Sequence, residues 1–187
     1  MTLDTSDGRD AGKNSIANCL QEARKTLATE IRQARGGVQA TQVYSTKIDH
    51  LLGRIRSKST ASPDSPVALV AIGGYGRSQL CLYSDIDLLI LFGGPIASNE
   101  EQLVKDLLHP LWDLGLDVGQ QVRQIDELSH PETDNPSFLV AVADARFVTG
   151  DAKVFNQFIQ HVRGPEAIWR QATIEALRGL VEERYRH

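Results

Sequence analysis

The sequence predicts an α/β (α+β) fold: a small mixed sheet with flanking helices and a helical C-terminal part. Three observations carry that expectation. Two short runs, VALVAIG at 67–73 and IDLLILF at 86–92, are continuously apolar, as buried strands are. The segments before and after them repeat apolar residues at helical spacing. The order helix, helix, strand, turn, strand, helix, strand, helices suits one small sheet with helices mostly on one side.

The first ten residues read as a tail without order. Ile16, Leu20, Ala23, Leu27 and Ile31 then mark an amphipathic helix that runs to the Gly36-Gly37 stop. Ile48, Leu51, Leu52 and Ile55 mark a second, which gives way to a polar linker from Ser57 to Pro66. After the two strands, Ser98 and Glu101 have capping-box spacing and open a helix striped by Leu103, Leu107, Leu111 and Leu114. Gly115 ends it, and Leu116 to Ile125 alternates enough to be a third strand. From Pro136 onward the chain reads as helical, through FLVAVADARFV, VFNQFI and a final long amphipathic segment. The chain thus divides into an N-terminal helical segment with linker (1–66), a core (67–130) and a C-terminal helical segment (131–187). Trp112 and Trp169 fall on helical apolar faces and read as core, while His109 and His130 precede prolines and read as structural.

Composition bounds the function. With 187 residues, 41% hydrophobic and 24% charged, the chain is long enough for one real core, and disordered, collagen-like and membrane classes are disfavoured. No apolar run approaches the ~20 residues of a membrane span, and the polar N-terminus lacks a signal-peptide core, so the expected location is cytoplasmic. Cys19 and Cys81 stand far apart without a CxxC pattern, which indicates neither disulfides nor zinc. A net charge of −4 provides no broad field for long nucleic acid.

The chemistry is concentrated in GGYGRSQLCLYSDIDLL, between the first two strands. Gly73 and Gly74 follow a strand directly, where missing side chains let backbone N–H groups approach an anion. Asp85 and Asp87 alternate with Ile86 and Leu88 at the mouth of an apolar strand, so both carboxylates face one way, roughly 6–7 Å apart. Such a pair repels itself, and at least one member should titrate high unless a partner intervenes. A divalent cation, Mg2+ or Mn2+, resolves the conflict while leaving positions free for substrate phosphates. Taken singly, a Gly-Gly turn or a strand-end Asp is more often merely structural; the two together form a much narrower pattern. Two other glycine-loop patterns fail. GxGxxG would need a third glycine where Gln79 stands, and GxxxxGK[ST] has no match anywhere.

At these residues the sequence resembles the DNA polymerase beta-type nucleotidyltransferases, and more narrowly the N-terminal region of the bacterial PII-protein uridylyltransferases. The supporting segments are VALVAIGGYGR, YSDIDLLILF, LWDLGLDVGQQVRQIDE, ADARFVTGD and EERYRH, in the family's order. The resemblance implies a nucleotidyltransferase fold and a metal-dependent transfer of UMP from UTP to a tyrosine of the small PII signalling protein in nitrogen regulation. It implies that Gly73 and Gly74 contact the triphosphate and that Asp85 and Asp87 are catalytic metal ligands. Arg77 would pair with a phosphate or else form a surface salt bridge. Ser84 would bond a phosphate or cap the strand. Asp117 is the candidate third catalytic carboxylate, with an exposed strand end as its plain alternative. Arg123, on the same strand, would face the triphosphate or lie on the surface.

There are departures. The family commonly has Gly-Glu where this chain has Ser78-Gln79, and His-Ser where it has Gln120-Gln121. Its longer members continue into an HD-type uridylyl-removing domain and glutamine-sensing domains, whereas none of the five histidines here precedes an Asp. The expectation is therefore a piece or a truncated relative of that enzyme. Two other functions compete: transfer to a different acceptor, such as a small molecule, an RNA end or another protein, and a non-catalytic nucleotide-binding remnant.

Overall fold

The structure, a computed structural model, describes residues 7–33, 37–59, 66–164 and 167–186. Residues 1–6 of the expected tail, Gly36 of the expected stop and residues 60–65 of the expected linker lie outside them. Residues 7–10 are already helical: α1 spans Asp7–Arg32 and packs Leu20, Ala23 and Leu27 into the core, leaving Ile31 exposed. α2, Val38–Lys58, buries Ile48, Leu51, Leu52 and Ile55 as the spacing requires.

Four strands make the sheet: β1 Val67–Ala71, β2 Ile86–Phe92, β3 Val118–Gln124 and β4 Arg146–Gly150, in the order β3-β2-β1-β4. β1 runs antiparallel to β2 and β4, while β2 and β3 are parallel. A parallel pair needs a crossover, and α4, Ser98–Asp113, supplies it. The cap of α4 falls one residue earlier than the spacing suggested: the Glu100 carboxylate accepts the Ala97 N–H at 3.2 Å, and Ser98 is the first helical residue. Gly115 closes it in the left-handed region at φ 66°.

Further expectations are corrected. The stretch from Pro136 is not helical throughout: α5, Pro136–Ala143, ends at Asp144, and Arg146–Gly150 pairs with β1 as an edge strand. A continuous apolar run does not by itself distinguish a helix from a strand, and here one run contains both. Nor do the helices keep to one side. Leu69, Ala71, Leu88 and Ile90 face α1, α2 and α4, whereas Ala68, Val70, Leu89 and Leu91 face α5, α6 (Ala152–Arg163) and α7 (Ala167–Tyr185). Strands without alternation are strands buried on both faces, and β1 is buried at every position. Trp169 is core, but Trp112 is exposed and lies beside the His109 ring.

Candidate active site

The polar break in this core comes where β2 begins. Asp87 is the one position of β2 that is not fully buried, and Asp85, two residues earlier, is exposed. The backbone pins the spot on both flanks: Ile72 N–H donates to the Asp87 carbonyl at 3.1 Å, and Ile86 N–H to the Asp117 carbonyl at 2.9 Å. The parallel register sets Asp87 opposite Gly119, and Gly73 approaches from the other side. A Cβ at Gly73 would lie 2.9 Å from Asp87 Oδ2, and one at Gly119 would lie 2.8 Å from Oδ1. The carboxylate therefore sits in a slot that only two glycines leave open. Gly119 was not among the expected site residues; its signal was a glycine inside a strand pattern, which marks close approach.

Burial pushes the Asp87 carboxyl above its ordinary range, and the charge of Asp85 adds to the effect. Among the described residues no cationic side chain pairs with either carboxylate, and no third His, Cys, Asp or Glu completes a cluster with them. A half-buried carboxylate in a slot, with an exposed one two residues earlier and neither neutralised by a described cationic side chain, fits a hard cation that takes oxygen ligands and retains water.

Gly73–Gly76 forms a single helical turn, α3, with Gly73 in the left-handed region at φ 55°. In such a turn the first N–H groups have no partner inside the helix and point outward. The turn is clamped from below. Tyr75 is buried and donates its hydroxyl to Asp49 of α2; Arg146 of β4 holds both Asp49 oxygens at 2.8 and 3.1 Å. The same guanidinium donates to the carbonyls of Tyr75 and Gly76, each at 3.3 Å. Burial first, and then the Asp49 charge, holds the Tyr75 phenol well above its usual range. Gly76 is compelled by contact: a Cβ there would fall 2.2 Å from the Asp144 carbonyl oxygen. Sequence reasoning missed Asp49 and Arg146, whose only signal was a charge set among core residues.

No family model matches the chain, but curated relatives do. It is 32% identical over 155 residues to a bifunctional uridylyltransferase/uridylyl-removing enzyme of Pseudomonas fluorescens, covering 83% of this chain and 17% of that protein. The enzyme of the same name from Methylococcus capsulatus is 30% identical over 92% of this chain and 20% of its own length. That of Novosphingobium aromaticivorans is 33% identical over 79% of this chain and 16% of its own. The chain is similar to one region of these enzymes. It spans about a fifth or less of the length of the relatives it matches.

The remaining expected residues divide. Arg77 stands beside Gly74, and its Nη1 pairs with Asp144. Asp117 is exposed just before β3, next to the carboxylate strand. Ser84 closes a local turn, accepting the Cys81 N–H at 2.9 Å and facing the Cys81 carbonyl at 3.1 Å. Arg123 is not brought to the carboxylates. It lies four residues beyond Gly119, roughly 13 Å along the strand, bridged to Glu132 at 2.8 Å and stacked on Phe138. Ser78, where the family commonly has glycine, holds φ 60°. Among the described residues no helix is long and apolar enough to cross a membrane.

Proposed function

We propose that the chain is the nucleotidyl-transferring region of a uridylyltransferase, moving UMP from UTP to a tyrosine of a PII-type signalling protein. The observation that carries this is the Asp87 carboxylate seated between Gly73 and Gly119, with Asp85 close enough to raise its pKa. Asp85 and Asp87 would hold Mg2+ or Mn2+, which supplies charge neutralisation at the phosphates and activation of the attacking oxygen. Gly73 and Gly74 present backbone N–H groups where the leaving phosphates would lie, and Arg77 stands beside Gly74 to pair with them. The acceptor oxygen bonds to the α-phosphorus, the bond from that phosphorus to the bridging oxygen breaks, and pyrophosphate leaves with the electron pair. Asp117, exposed at the start of the neighbouring strand, is our candidate to take the acceptor's proton. The hydrogen bonds of Ser84 and Arg123 are spent on the protein itself, so their part is to hold the turn and the strand.

The test is incubation with Mg2+, purified PII protein and each of UTP, ATP, CTP and GTP, read by intact mass. A UMP adduct on PII, lost on Asp87→Asn, is the expected result. An adduct of a different nucleotide, or none on PII, would overturn the assignment of donor or acceptor.

A further inference from the structure

Arg77 and Asp144 form an ion pair beside the glycine turn, with the Arg77 side chain half-exposed and that of Asp144 one-third exposed. Exposed pairs of this kind add little to folding stability. Nor does folding favour an acid at this position: Asp144 ends α5, and a negative charge at a helix C-terminus opposes the helix dipole. Yet the backbone around it is pinned from three directions. Arg163, the last residue of α6, donates through Nη2 to the carbonyls of Ala143 at 3.0 Å and Ala145 at 2.8 Å. The Asp144 carbonyl is packed against the turn, 2.2 Å from where a Cβ on Gly76 would stand. Arg146, two residues on, donates to the carbonyls of Tyr75 and Gly76.

The backbone that carries the Asp144 carboxylate is therefore fixed relative to the turn, and the carboxylate in turn fixes Arg77. Asp144 Oδ2 takes the Arg77 Nη1 group, while Nη2 lies 3.9 Å from where a Cβ on Gly74 would stand. Among the described residues no other acceptor engages this guanidinium. Gly73, one residue earlier, is the residue that meets Asp87 Oδ2, and Ala141 of α5 lies on its other side. The ordered guanidinium thus stands one residue along the turn from the carboxylate slot. An unconstrained arginine loses rotamer freedom when it binds phosphate, whereas one already held by a carboxylate has lost much of it beforehand.

We propose that Asp144 is a positioning residue for nucleotide binding: it holds the Arg77 guanidinium beside Gly74, oriented for the phosphates of the nucleoside triphosphate. The assignment rests on Gly73, Gly74 and Asp87 belonging to the transfer site. The direction of its effect is diagnostic. Asp144 carries a negative charge close to where the phosphates would lie, so by charge alone its removal would tighten nucleotide binding. Positioning demands the opposite, because without the carboxylate the arginine swings free. The pair is solvent-exposed, which screens the charge effect, so the loss of orientation should prevail.

The test is the dissociation constant of UTP with Mg2+, by calorimetric titration, for the parent chain, Asp144→Ala, Arg77→Ala and the double variant, with a urea midpoint measured for each. Asp144→Ala should weaken UTP binding about three- to tenfold, Arg77→Ala at least as much, and the double variant no more than Arg77→Ala alone. Unchanged or tighter binding by Asp144→Ala overturns the proposal. So does an equal loss with Arg77 already absent, which would make Asp144 structural. Asp144→Asn keeps the shape and one acceptor without the charge: a loss of up to about threefold is expected, and tighter binding overturns the proposal even if Asp144→Ala fails to fold. Failure of the underlying reading looks different. A parent chain that binds no UTP with Mg2+ removes the transfer site and this role with it, whereas UTP bound normally by Asp144→Ala but lost in Asp87→Asn removes only the role of Asp144.

Discussion

Asp87 and Gly119 face each other across the parallel pair of β2 and β3, and a methyl group on Gly119 would stand 2.8 Å from Asp87 Oδ1. What would have to move is the end of a side chain rather than backbone. Gly119→Ala should therefore fold with a loss of stability under about 1 kcal/mol, while turning the carboxylate away and lowering transfer by on the order of 10- to 100-fold. Urea melts beside a transfer assay check both halves.

Gly76→Ala should do the opposite. Its methyl group would meet the Asp144 carbonyl oxygen at 2.2 Å, where backbone must give way. We expect roughly 2–4 kcal/mol of destabilisation, visible as a lowered denaturant midpoint before any assay is run.

Asp87→Asn separates catalysis from folding. Burial and Asp85 raise the folded-state pKa of Asp87, so the folded chain binds its proton more readily than the unfolded chain. The resulting penalty on stability is fully present at pH above the folded pKa and disappears as pH falls through it toward the ordinary value of about 3.9. In chelator at pH 7, Asp87→Asn should be as stable as the parent or more so, and that advantage should shrink as pH falls toward 4. Transfer with Mg2+ should nevertheless drop by about 10²-fold or more. Clear destabilisation with transfer intact would mean that the carboxylate is structural.

Arg146→Met would strip four hydrogen bonds from Asp49 and the Gly73–Gly76 turn and leave Asp49 without its cation. A loss of roughly 2–3 kcal/mol is expected. Adding Asp49→Leu should restore part of it by removing the orphaned charge, a recovery that a double-mutant cycle measures directly.

Ser78→Gly should stabilise. Ser78 holds φ 60°, a conformation that disfavours a Cβ by about 1–2 kcal/mol, against a glycine entropy cost of roughly 0.5–1 kcal/mol. A net gain of up to about 1 kcal/mol in a thermal or urea melt is the expected result. The departure from the family's glycine thus coincides with a backbone conformation that glycine adopts most easily.

Elements whose signals are local are legible in the amino-acid sequence alone. VALVA and IDLLILF announce buried strands because neighbouring residues report one environment, and the period of two puts Asp85 and Asp87 on one side of the chain. The apolar stripe of α4 and its glycine stop are likewise read within a few turns of sequence. What the tertiary structure alone decided joins residues far apart. The slot around Asp87 needs Gly119, delivered by the crossover through α4 and a parallel register. The clamp beneath Gly73–Gly76 needs Asp49 and Arg146, 97 residues apart, and β4 takes its identity from β1, which supplies its hydrogen bonds. Periodicity records how a residue meets its immediate surroundings; which distant partner fills those surroundings is set by packing of the whole chain.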